Sequence, residues 1–246
     1  MTGRILAGLV ATACVGALAV APVGASGPPV ATYAVTIENL TDGQPFTPPV
    51  IATHRAATGM FTVGQPASFA LKQIAENGDL GPMIDLLGSD KHVFDSADAM
   101  APLVPSGLPS FGMFDDSVTL TVTAGTGAKF LSFASMLICT NDGFTGVDSL
   151  RLPKDIGEQV AVMTNGYDAG TERNTENYAD IVQPCQDLHG VDVVDGTGMS
   201  NPALAEGGVI HHHAGIQGDV DDLTDLTRET HGWSGPVAEV TVERVS

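Results

Sequence analysis

Polar and apolar positions alternate through "TYAVTIENL", with Tyr33, Val35 and Ile37 on one side and Thr32, Ala34 and Thr36 on the other. A period of two in a β-branched stretch predicts a half-buried strand. The same period runs through "SVTLTVTA" (117–124), where Val118, Leu120 and Val122 alternate with Ser and Thr. "AKFLSFASMLIC" follows, with Phe130, Leu131, Phe133, Met136, Leu137 and Ile138, and predicts a central strand. Joined by "GTG", the two read as a hairpin. "EQVAVMTNGYDAGTE" predicts a strand running into an acidic glycine turn. "GGVIHHHAGIQGD" predicts a short strand with a histidine tip, and "GPVAEVTVERV" a terminal strand carrying Val237, Val240, Val242 and Val245. "FTPPVIATH" is extended, and its prolines place it at a sheet edge or in a crossing segment.

Helical spacing is confined to two places. "PASFALKQIAENGD" offers Ser68 as N-cap, Phe69, Leu71, Ile74 and Ala75 as a partial apolar face, and Gly78 as a stop. "PMIDLLGSD" predicts a second short helical turn. The Gly/Pro/Ser-rich "SADAMAPLVPSGLPSFGMFDD" lacks periodicity and predicts a loop. Many short strands with frequent turn residues predict an all-β fold, an antiparallel β-sandwich with one or two short helices in the connections. No internal repeat or separating linker is visible, so residues 26–246 are expected to form one domain.

The first residues are expected to be processed. "MTGRILAGLVATACVGALAVAPVGAS" has one basic residue, Arg4, then an alanine-rich apolar run and "VGA" before Ser26. This predicts a secretory signal peptide over 1–25, cleaved after Ala25. A lipoprotein signal would use Cys14 instead, but the residues after Cys14 stay apolar. A membrane anchor is disfavoured by Pro22 and Gly24, and no later segment has the roughly 20 apolar residues of a spanning helix. The expected location is secreted, periplasmic or cell-surface.

Cleavage removes only Arg4 among the charged residues, so the net charge of −19 becomes −20. Such acidity argues against nucleic acid as a partner, because phosphate binding needs clustered Lys and Arg. It fits solubility, a salty habitat, or the binding of a divalent cation. Cleavage also leaves two of the three cysteines, Cys139 and Cys185. An even pair in an oxidising compartment predicts a disulfide closing a loop of about 46 residues, a constraint worth roughly 4 kcal/mol. The alternative is two free buried thiols.

Two acidic turns follow predicted strands: "TNDGFTGVD" (140–148) and "GYDAGTE" (166–172). Neither has EF-hand spacing or flanking helices. A calcium site in a sandwich needs carboxylates from loops that meet at one end. Asp168 and Glu172 lie four apart across a glycine turn and could share a concavity with the other loop; most such turns are simply solvated. A third cluster is His211, His212 and His213. Strand geometry puts His211 and His213 on one face, so a zinc site there would need another histidine, from His54, His189 or His231. The alternative is a packing and hydrogen-bonding role. No G-x-S-x-G and no Cys with a clear histidine partner appears. Asn39-Leu40-Thr41 is a formal glycosylation sequon.

"NDGFTGVDSL" resembles the D-W-F-V-G-V-D-S-L segment of the spondin N-terminal domain of extracellular matrix proteins, and "YDAGTE" resembles its Y-D-A-G-T-D at matching spacing. "TYAVTIENLTDGQPFTPPVIATH", "GQPASFALKQIAENGD", "HHHAGI" and "GWSGPVAEVTVERV" are similar to bacterial relatives. The resemblance implies a β-sandwich related to calcium-dependent phospholipid-binding domains, with one Ca2+ bound by Asp142, Asp168 and Glu172. Glu172 departs from the family's aspartate and Gly143 from its tryptophan. The cysteine pattern of the animal members is not matched by Cys139 and Cys185. Asp148 is expected to brace the loop rather than bind metal. The resemblance implies a non-enzymatic binding or adhesion module for an extracellular protein or glycan. The alternatives are a His-ligated metalloenzyme of the cell envelope and a metal-free structural domain.

Overall fold

The computed structural model describes residues 29–192, 196, 199–218 and 224–246. The predicted signal peptide, with Cys14 and the cleavage point at Ala25, lies outside the described residues. In chain order the regular elements begin with β1 (Ala31–Asn39), β2 (Val50–His54), α1 (Phe69–Asn77), α2 (Gly81–Ser89) and β3 (Val93–Asp98). β4 (Ser117–Ala124), β5 (Phe130–Met136), β6 (Gly143–Arg151), β7 (Gln159–Thr164) and β8 (Gly166–Asp168) follow. α3 (Pro184–His189), β9 (His211–His212), α4 (Arg228–His231) and β10 (Ala238–Arg244) complete them.

The strands form two antiparallel sheets, one in the order β4-β1-β10-β7 and one in the order β3-β2-β5-β6-β8-β9. The alternation read in β1 has its cause between them. Tyr33, Val35 and Ile37 pack with Val122, Val240 and Val242 against Ile51, Leu131 and Phe133 of the larger sheet. The other face of that sheet is covered by helices. Val50, Ala52, Ala134 and Met136 meet Leu71, Ile74 and Ala75 of α1 and Met83 and Leu87 of α2. β2 and β5 are thus middle-layer strands, apolar on both faces.

This three-layer arrangement corrects four sequence expectations. β4 and β5 are not a hairpin: β4 pairs with β1, and β5 with β2 and β6. β5 is buried on both faces, whereas Thr119 and Thr121 of β4 are exposed, so the two suit different layers. β2 is not an edge strand, being paired on both sides. Pro48 and Pro49 precede it, where the missing N–H costs no ladder bond. "EQVAVMTNGYD" splits into β7 and β8, which belong to different sheets. The predicted loop from residue 96 begins inside β3.

α1 starts and stops as read. Ser68 Oγ accepts the Leu71 amide at 3.1 Å, and Gly78 ends the helix at φ 65°. Phe69, however, is 69% exposed, because the buried face of α1 is Ala70, Leu71, Ile74, Ala75 and Glu76. Cys139 and Cys185 are joined in a disulfide, with Cα atoms 5.0 Å apart. It ties the end of the β5 segment to α3.

Candidate metal centre

The two acidic loops meet because β6 pairs with β8. The register sets Gly143 opposite Asp168 and Phe144 opposite Tyr167, and the Ala169 amide donates to the Asp142 carbonyl at 3.1 Å. Thr140 Oγ1 makes the first loop tight, donating to the Leu137 carbonyl at 2.6 Å and accepting the Gly143 amide at 2.8 Å. A Cβ on Gly143 would lie 2.4 Å from that hydroxyl. No aromatic side chain fits there, which gives the absence of tryptophan a steric reason.

Asp142 is fully buried. Its Oδ2 accepts the Thr171 amide at 2.7 Å, the Glu172 amide at 3.0 Å and the Thr171 hydroxyl at 3.1 Å, so one carboxylate oxygen closes the second loop. Its Oδ1 is buried without a hydrogen-bond partner. Burial, and then the charge of Asp168, push the Asp142 carboxyl up to about 7 against the pull of its donors. Asp168 is also buried; its Oδ1 accepts the Gly170 amide and its Oδ2 the Asn174 amide group, each at 2.7 Å. Gly170 takes φ 68°, and a Cβ there would meet the Val209 backbone at 2.6 Å.

Glu172 is buried, with Oε1 accepting the Asn201 amide. Burial raises its carboxyl to about 7, with the charges of Glu76 and Asp142 adding to the rise and Asn201 and Lys72 opposing it. Glu76, on α1, is a fourth buried acid that sequence reasoning missed. Its carboxylate has an ion-pair contact with Lys72 at 3.3 Å and no hydrogen bond. The residue order "LKQIAE" reads as an exposed i,i+4 pair, and nothing in it signals that the glutamate points inward.

The Spondin_N family model matches residues 40–187. The chain belongs to the spondin N-terminal domain family. No curated protein matches it. The match takes in Glu76, Asp142, Asp168, Glu172 and both disulfide cysteines, while β1, β9 and β10 of this spondin domain lie outside it.

The carboxylates of Asp142, Asp168 and Glu172 share one region but stand apart. Among the described residues, ligand atoms of three or more His, Cys, Asp or Glu side chains close to within 4.8 Å of one another at a single place, formed by Cys139, Cys185, His189 and His231. His211 and His213 are brought to Asp168, not to a third histidine. His211 Nδ1 lies 3.7 Å from Asp168 Oδ1. His213 Nδ1 accepts the Gly215 amide, its ring packs 5.2 Å from Trp233, and burial holds it down to about 4. His212, on the opposite face, stacks on Tyr167 at 5.3 Å. His54 is engaged elsewhere, its Nε2 2.7 Å from Ser132 Oγ. Asp148 lies within β6 and ties the segment before α1 to β5 instead of bracing the acidic turn: it accepts the Met60 amide at 2.8 Å and the hydroxyls of Ser132 and Ser149. A cleft of about 390 Å³ beside it, lined by Thr58, Phe61, Ser149 and Ile210, includes none of the four clustered acids.

Proposed function

We propose that this spondin domain is a secreted, calcium-binding β-sandwich acting as an extracellular binding or adhesion module for a protein or glycan, and not as an enzyme. The observation that carries the reading is Asp142 Oδ1, a buried carboxylate oxygen with no hydrogen-bond partner in a region that also buries Asp168, Glu172 and Glu76. Lys72 pairs with Glu76 and is partly exposed. Uncompensated buried anions are costly, and a neutral His213 does not relieve them.

The donors are hard oxygens, the set calcium takes in 6–8-fold coordination, whereas imidazole suits transition metals. The residues therefore fit Ca2+ in charge and donor chemistry, with Asp142, Asp168 and Glu172 as ligands and Glu76 as a fourth carboxylate. Bound calcium would supply the positive charge this region lacks. Asp142 would then join two tasks: Oδ2 holds the 170–172 turn through three donors, and the unpartnered Oδ1 would be left to hold the ion. The two loops become one fixed surface for a partner. The family, the disulfide and the absence of any described helix long and apolar enough to cross a membrane are compatible with an extracellular setting.

Thermal melts of the wild type, Asp168→Asn and His213→Ala, each with calcium and with chelator, test this reading. Calcium at one hundred times its dissociation constant should stabilise the wild type by about 2.7 kcal/mol. Asp168→Asn should lose most of that gain, and His213→Ala should keep it. A wild-type calcium response in Asp168→Asn would sink the ligand assignment.

A further inference from the structure

Away from the acidic loops, two imidazoles flank the disulfide. The sulfurs of Cys139 and Cys185 and one ring nitrogen each of His189 and His231 all lie within 4.8 Å of one another. The four come from distant places: the turn after β5, two positions on α3, and the end of α4. The imidazole rings stand 4.4 Å apart between centroids. Burial holds both below the ordinary histidine value, with the neighbouring His189 adding to the effect at His231.

We propose that the reduced form of this cluster is a zinc site, with the thiolates of Cys139 and Cys185 and the imidazoles of His189 and His231 as ligands. Tetrahedral zinc at about 2.3 Å from sulfur and 2.0–2.1 Å from nitrogen sets its ligand atoms roughly 3.3–3.8 Å apart, a spacing within the 4.8 Å limit of this cluster once reduction lets the two bonded sulfurs part. His189 Nε2 lies 3.0 Å from the Gly43 carbonyl, an acceptor only, so Nε2 carries the proton and Nδ1 presents the lone pair. His231 Nδ1 accepts the Thr227 amide at 3.1 Å, leaving the proton on Nε2, 3.4 Å from Tyr178 Oη. Ligation through His231 Nδ1 would release the Thr227 amide and leave Nε2–H to Tyr178.

The chemistry balances. A dithiol reductant passes two electrons and two protons to the disulfide and itself becomes a disulfide. The two thiols then lose two protons as they take up one Zn2+. Oxidation by a disulfide-bearing partner returns the electrons to that partner, closes the Cys139–Cys185 bond and releases the ion. The oxidised form thus ties the turn after β5 to α3 alone, whereas the zinc form would also tie in α4 through His231, the choice being set by the redox state.

The test uses the full chain in oxidised form and after reduction with a phosphine in the absence of oxygen. Zinc content is measured after desalting, and cobalt(II) is added as a spectroscopic stand-in. The expected result is stoichiometric zinc in the reduced chain, none held by this cluster in the oxidised chain, and a sulfur-to-cobalt charge-transfer band with intense tetrahedral visible bands. His189→Ala should weaken zinc by more than about tenfold, the lower end of what losing even an outer-shell partner costs, and His231→Ala should also weaken it. If reduction loosens the fold, zinc should restore the near-ultraviolet circular dichroism, because binding and folding are linked. No zinc uptake on reduction would overturn the proposal. So would wild-type affinity in both histidine variants, or uptake by the thiolates of an unfolded chain without recovery of the signal.

Discussion

Replacing Asp142 by asparagine probes the buried charge without changing shape. In the wild type the carboxyl has its folded value raised from 3.8 to about 7, chiefly by burial and then by Asp168. A group raised on folding contributes stability that is complete below its unfolded value and is lost as pH rises through its folded value. Without calcium, this carboxyl should therefore draw stability down from about pH 4 towards pH 8, and Glu172, also raised to about 7, acts in the same direction. His213 and His231, held down to about 4 by burial, act in the opposite direction below pH 6.5, so the wild-type-minus-variant difference is the quantity to read. At about 1.4 kcal/mol per pKa unit, ionising Asp142 in the fold costs up to about 4 kcal/mol. This is a ceiling, because Asp142 and Glu172 titrate against each other. The introduced asparagine can keep the acceptor that holds the Thr171 and Glu172 amides and turn its NH2 towards the unpartnered position. In chelator at pH 8, Asp142→Asn should melt higher than the wild type by several degrees, since each kcal/mol is worth about 2–4 °C in a chain of this size. At pH 4 the two should coincide. Added calcium should reverse the order at pH 8 by stabilising only the wild type. Differential scanning calorimetry across this pH range reads all three arms. Equal melting temperatures in chelator at pH 8, or an unchanged pH slope in the variant, would refute the buried-charge argument.

Three further outcomes rest on other parts of the fold. The Cys139→Ala/Cys185→Ala double variant should lose about 2–5 kcal/mol, and the unreduced wild type in denaturant should show no titratable thiol from this pair. Gly43→Ala would set a Cβ 1.8 Å from the Thr230 carbonyl oxygen, a backbone atom that cannot move aside alone, and should destabilise by about 1–3 kcal/mol in urea unfolding. Ser68→Ala removes the acceptor for the Leu71 amide and should cost about 1 kcal/mol, read as a melting temperature lower by a few degrees.

The strands of the outer sheet were legible because each has one wet face. Val35 and Ile37 are fully buried while Glu38 of the same strand is exposed, and period two follows from that contrast. β2 and β5 lack the contrast, being covered by the other sheet on one side and by α1 and α2 on the other. Their sequences show only that they are apolar or extended, not which layer they occupy. The mistaken hairpin has the same origin. "GTG" fits a tight turn between paired strands and equally a step between sheets. The partner that decides, β1, pairs Ala31 with Ala124 across most of the first half of the chain.

The candidate site divides along a similar line. Asp142, Asp168 and Glu172 could be read because their local setting, acids in glycine turns after strands, matches a family pattern. Glu76 could not, because what makes it unusual is burial. With Lys72 one turn earlier, local sequence describes a solvated helical pair, and only the packing of α1 against β5 turns the glutamate inward. His189 and His231 are similar: no spacing links them, and they meet because the disulfide anchors α3 beside the turn that follows β5. Both clusters bring ionisable groups into the interior with few counter-charges. The neutral imidazoles tolerate burial without a metal, whereas the carboxylates do so only by taking up protons near pH 7 or by holding a cation. The acidic loops are therefore where stability should respond to calcium and pH together, and the histidine pair is where it should respond to reduction and zinc.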